Sequence, residues 1–155
     1  MTFRITGLPA ADFAHLIGRP DAELAALGVS RVAVVAPNAA PCRITLDDAA
    51  PGETVLLLNY EHQPADTPYR SRHAIFVREG TGAAFDAVGV VPAALRRRPL
   101  SVRAFDAGHL MVDADLVDGA ELERVLEPML ARPDTAYVHL HYAKRGCYAA
   151  KAVRA

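Results

Sequence analysis

Two histidines separated by one leucine, His139-Leu140-His141, are the residues of this 155-residue chain best placed by type and spacing to do chemistry. Side chains two apart on a strand share a face, so both imidazoles would point one way while Val138 and Leu140 meet a core. Such a pair can hold or move a proton near neutral pH. A metal would need a third ligand from elsewhere, such as His73, His62 or Glu61, because no carboxylate follows at ligand spacing. No metal is therefore expected, and a plainly polar strand face is the alternative.

A second constellation is Asn59-Tyr60-Glu61-His62-Gln63 with Tyr69-Arg70-Ser71-Arg72-His73. These polar runs sit at the ends of two apolar segments, where a rigid scaffold usually presents groups that contact a ligand. Arg70, Arg72 and Arg103 offer planar forks for an anion, with Asn59 beside them, while His73, His139 and His141 supply proton donors or acceptors. The expected site is thus Asn59, Arg70 and Arg103 for binding and His73, His139 and His141 for catalysis. A surface loop fastened by local salt bridges explains the same residues without function.

Other patterns carry less. Cys147 follows Lys144 and Arg145, whose charges favour a thiolate, but in a hairpin turning at Ala143 to Gly146 it falls on the face of Val138 and Leu140, opposite the histidines, and a loop one residue longer or shorter would reverse that. Cys42, in Pro41-Cys42-Arg43, is also read as a buried structural thiol. Gly80-Thr81-Gly82 lacks the third glycine, or the lysine and hydroxyl, of a phosphate cradle and reads as a turn. Arg96-Arg97-Arg98 reads as a solvated basic edge, and Asp113 with Asp115 as a loop before a helix.

The elements that must position these groups follow from periodicity. Phe13, Leu16 and Ile17 predict a short helix after Pro9, and Pro20 to Leu27 a second, closed by Gly28. Val32 to Val35, Cys42 to Leu46, Val55 to Tyr60 and His73 to Glu79 read as strands rich in β-branched and aromatic residues. Val55-Leu56-Leu57-Leu58 is apolar on both faces, as a covered central strand would be. Leu122, Val125, Leu126, Met129 and Leu130 recur at helical spacing from about Gly119 to Arg132, with Asp118 and Glu121 forming a capping-box pattern. Leu100 to Phe105 is a further strand, and Ala136 to Tyr142 with Cys147 to Arg154 a terminal hairpin.

Composition sets the bounds. Apolar residues make up 52% and charged residues 23%, enough for a core and too apolar for disorder. A net charge of -1 gives no global attraction to nucleic acid or an anionic membrane. No leader pattern or apolar run of spanning length is read in the sequence, and two cysteines build no disulfide framework, so a cytoplasmic location is expected.

The runs Leu56 to Gln63, Pro68 to Gly80, Arg103-Ala104-Phe105-Asp106, His139-Leu140-His141 and Gly146 to Ala150, with Phe3 to Leu8 and Pro41-Cys42-Arg43, together resemble a bacterial family, domain of unknown function 1203. The likeness extends almost end to end and implies no assigned activity, substrate, cofactor or catalytic residue. The expected protein is a single domain over residues 1–155. Its expected fold is α+β, with a mainly antiparallel central sheet, two short N-terminal helices and one long amphipathic helix packed on the sheet. The function expected is a pocket that binds or acts on a small anionic metabolite through Arg and His side chains, with cofactor and homo-oligomeric state left open. The alternative is a non-catalytic binding or protein-interaction module.

Overall fold

The computed structural model describes residues 2–80 and 82–155, so the middle of the Gly80-Thr81-Gly82 turn lies outside the described residues. Nine strands and three α-helices follow one another as β1 Phe3–Thr6, α1 Asp21–Ala26, β2 Ser30–Ala33, β3 Thr54–Gln63, β4 Ser71–Arg78, β5 Asp86–Val88, α2 Ala93–Arg96, β6 Pro99–Phe105, β7 Met111–Asp118, α3 Leu122–Ala131, β8 Tyr137–Tyr142 and β9 Tyr148–Arg154. The fold is α+β, and the named strands pair antiparallel throughout.

The strands form two sheets rather than one central sheet. Six make a sheet in the order β5-β1-β9-β8-β6-β7, and three make a second in the order β2-β3-β4. The first strand is thereby locked between the last and β5, which closes the larger sheet on both ends of the chain. The apolar segment Val55 to Leu58 does lie in a central strand, that of the smaller sheet. Leu56 and Leu58 pack with Phe13, Leu16, Leu24, Ile75 and Val77 on one side, and Val55 with Val34, Ala40 and Ala49 on the other.

The helices are shorter than the sequence pattern predicts. The first expected N-terminal helix is a single 3-10 turn, Ala10–Phe13, and the second is the six-residue α1. Pro9 and Pro20 stand just before each without a side-chain cap, and Gly18 and Gly28 adopt positive φ five and two residues beyond their ends. So little chain between breakers leaves room for one or two turns only. The ten-residue α3, preceded by a 3-10 turn at Gly119–Glu121, is the only helix of seven or more residues among the described residues. No helix among them is long and apolar enough to cross a membrane.

Leu122, Leu126, Met129 and Leu130 of α3 bury against Leu100, Val102, Val138 and Leu140 of the larger sheet. The other face of that sheet carries His139, His141 and Tyr148 towards the smaller sheet, so the histidines lie between two layers. The capping box is half present: Asp118 accepts a hydrogen bond from the Ala120 amide at 3.0 Å, whereas Glu121 pairs with Arg124 at 3.2 Å. Asp118→Ala should therefore cost about 1 kcal/mol, read as a lowered midpoint in urea unfolding.

Two strand assignments change. Cys42 to Leu46 forms isolated bridges, Pro41 to Asp48 and Cys42 to Phe76, and then turns through Leu46 at φ 55. Asp113 and Asp115 belong to β7, an edge strand, where charged side chains discourage pairing with further strands. Asp113 is held there by Arg132 at 3.3 Å.

Candidate functional site

The histidine face is built from cross-strand rows. His139 pairs with Arg103 of β6 on one side and Lys151 of β9 on the other, and His141 pairs with Ser101 and Tyr148. Directly paired residues project to the same side of a sheet, so Lys151, His139 and Arg103 form one row and Tyr148, His141 and Ser101 the next. The turn fixes this register. Gly146 takes φ 78, its amide reaches the Tyr142 carbonyl at 2.8 Å, and the Tyr142 amide reaches the Cys147 carbonyl at 2.9 Å. Cys147 accordingly faces the α3 side with Leu140 and Tyr142, and both cysteines are free and buried.

The opposite wall comes from β3. An irregularity in its pairing with β4 between Tyr60 and Gln63 adds a residue on the β3 side. Alternation would send His62 inward and Gln63 outward; the bulge turns both towards the larger sheet. The His62 ring stacks on Tyr148 at 5.4 Å and meets His141 edge-on at 5.0 Å and His139 at 6.2 Å between centroids.

Burial keeps these rings neutral. The pKa of His139 falls to about 3 through burial first, then the neighbouring His141 and His62 and the charges of Lys151 and Arg103. His141 also falls to about 3 through burial first, although its hydrogen bond to Gly146 opposes the shift, and His62 falls to about 4 through burial and then Arg103. His141 Nδ1 lies 2.9 Å from the Gly146 carbonyl oxygen. A carbonyl only accepts, so Nδ1 carries the proton and Nε2 of the neutral ring is left as an acceptor.

Between the sheets beside this cluster is a cavity of about 400 Å³, lined by Tyr60, His62, Gln63, Tyr137, His139 and Lys151, with Tyr148, His109 and short apolar residues completing the wall. This falls within the usual size range of small-molecule sites. Among the described residues Lys151 is the one charged side chain lining it, and its ammonium rests 4.7 Å from the Tyr137 ring centre. Gln63 Nε2 donates to the Tyr137 hydroxyl at 2.8 Å, and the same hydroxyl is hydrogen-bonded to His109 Nδ1 at 2.8 Å. Among the described residues the buried Nδ1 atoms of His62 and His139 have no hydrogen-bond partner, although the Tyr60 backbone lies close enough to the His62 ring to oppose its pKa shift.

Of the six residues put forward from the sequence, the structure places His139 on this cavity. His141, Arg103 and His73 border the same histidine cluster: His141 packs on His62, and the charges of Arg103 and His73 both bear on His62 and His141. His73 pairs with Tyr60, which puts it on the inner face of β4. Asn59 and Arg70 lie apart on the outside, Asn59 accepting from Arg72 at 2.6 Å and Arg70 paired with Glu61 at 3.3 Å. The six are not gathered in one hollow. Lys151, Tyr137 and Tyr148 escape a reading of single strands, whereas Gln63 belonged to the second constellation; pairing Lys151 with His139 across the terminal hairpin would have found the first of them. Among the described residues no group of three His, Cys, Asp or Glu side chains is arranged to hold a metal ion.

The architecture is a two-sheet α+β fold with a cavity lined by neutral histidines and tyrosines. The family model described as "Protein of unknown function (DUF1203)" matches residues 39–154, and the chain belongs to that family. The matched segment holds every residue of the histidine cluster and begins after the Phe3 to Leu8 segment. No curated protein and no solved structure matches the chain.

Proposed function

We propose that the cleft binds a small organic acid of single negative charge with a flat, partly apolar body. What supports this most is the pair of unpartnered buried nitrogens, His62 Nδ1 and His139 Nδ1, beside a cavity whose one charge is Lys151. A buried polar atom without a partner is costly and rare, so its presence beside a hollow points to a ligand that completes it. One ammonium matches one carboxylate, and the stacked aromatic walls suit a planar body. His139 and His141 at about 3 are poor bases at neutral pH, so the arrangement favours binding over proton abstraction.

Benzoate is the simplest probe, titrated calorimetrically against cyclohexanecarboxylate and benzyl alcohol. Benzoate should bind one per chain and most tightly, and Lys151→Met, at an exposed position, should weaken it roughly tenfold, about 1.4 kcal/mol. Equal affinity of wild type and variant for benzoate would sink the reading.

A further inference from the structure

A second and larger hollow, of about 690 Å³, lies on the other side of the terminal hairpin, against Tyr142 and Cys147. It shares no lining residue with the histidine cleft, so it stands or falls separately from the function proposed above. Five cations line it: Arg43, Arg97, Arg98, Lys144 and Arg145. Among the described residues the one carboxylate paired with any of them is Asp48, at 3.0 Å from Arg97 and 2.5 Å from Arg98. Five positive charges against one negative leave a surplus of four.

Two of the lining side chains are buried and incompletely served. Arg43 is 2% exposed and spends its donors on the Tyr148 carbonyl at 2.7 Å, the Pro41 carbonyl at 2.5 Å and Cys147 Sγ at 3.1 Å, with no carboxylate among them. A guanidinium withdrawn from water without a counter-ion is strongly disfavoured, and burial lowers its pKa. Tyr142 is 5% exposed, its ring lies 4.9 Å from the Arg43 guanidinium carbon and 5.1 Å from that of Arg98, and its hydroxyl has no partner. Burial pushes this phenol up to about 12, so at neutral pH it remains an O–H donor in need of an acceptor.

We propose that this cavity is a binding site for a small molecule carrying two adjacent phosphoryl groups. The guanidiniums and Lys144 supply the charge, and the Tyr142 hydroxyl supplies a buried hydrogen bond. Guanidinium forks match phosphoryl oxygens bidentately, and a compact anion of about three charges fits the surplus far better than a lone carboxylate does. The enclosing low-dielectric walls concentrate the field on the ligand.

The test is calorimetric titration with inorganic pyrophosphate at fixed ionic strength, with inorganic phosphate and citrate as comparators. Pyrophosphate should bind one per chain, at least roughly tenfold tighter than either comparator. Lys144→Gln combined with Arg145→Gln, on exposed turn residues, should weaken it by about tenfold or more. Tyr142→Phe separates a ligand role from a structural one. Removing a buried hydroxyl that bonds to nothing should leave the melting temperature unchanged or raised, yet weaken pyrophosphate about fivefold. No pyrophosphate binding below about 1 mM, citrate binding as tightly, or variants with wild-type affinity would each overturn the proposal.

Discussion

Lowering the pH from 7 to 5 is expected to remove on the order of 4 kcal/mol of folding stability, through His139 and His141 alone. Both have folded-state pKa values of about 3 against an ordinary 6.5, held down mainly by burial. A histidine depressed in this way favours the fold fully above its unfolded pKa and loses that contribution as pH falls towards the folded value. The unfolded chain takes up a proton on each ring below about 6.5, while the folded chain takes up neither until near 3. Each ring therefore contributes a slope of about 1.4 kcal/mol per pH unit across that window, and His62, less buried, adds in the same direction. Carboxylates held low by arginines, such as Glu53 and Glu79, lose their contribution only at lower pH, as they protonate below the usual carboxylate range. Urea unfolding at pH 7, 6 and 5 should show the midpoint falling before the carboxylates titrate. With His62 contributing nearly as much, His139→Gln should reduce the total loss between pH 7 and 5 by about a third; a variant with the wild-type slope would refute the assignment.

How much of this was readable in the sequence depended on whether the deciding interaction was local. The terminal hairpin was legible because its alternation, its glycine at positive φ and its turn length all lie within the residues 137–154. The placement of Cys147 opposite the histidines followed from the same facts. The Asp-rich β7 was missed because an edge strand carries charge where a loop would, and Asp113 and Asp115 satisfy both descriptions. The division into two sheets was not legible, since nothing local says that β1 pairs with β9 across almost the whole chain. The bulge that turns both His62 and Gln63 inward is a property of strand pairing, not of either residue. Arg43 was hidden for a different reason: an arginine at 2% exposure runs against every compositional expectation. The triplet Arg96-Arg97-Arg98 was likewise read as a solvated edge, yet Arg96 pairs with Glu123 while Arg97 and Arg98 share Asp48 and face the larger cavity.

Gly119→Ala should destabilise the protein by about 3 kcal/mol or more, although glycine to alanine is ordinarily favourable at the start of a helix. The backbone at Gly119 does not need a positive φ; the constraint is contact. A Cβ there would lie 1.8 Å from the Leu95 carbonyl oxygen and 2.7 Å from that of Arg98. The Gly119 amide already donates to the Arg98 carbonyl at 3.0 Å, so the end of α2 is seated directly on the turn that starts α3. Relief requires the Leu95 carbonyl to withdraw by more than an ångström, and Leu95 is itself fully buried in the main core. The displaced segment continues into Arg97, Arg98 and Pro99, which line the cationic cavity, so the same variant should also weaken pyrophosphate binding. Gly82→Ala is the matched control, because a Cβ there meets nothing within 4 Å, and its effect should stay within about 0.5 kcal/mol. Paired urea titrations of the two variants measure the difference, and equal midpoints would show that α2 can move away from α3 freely.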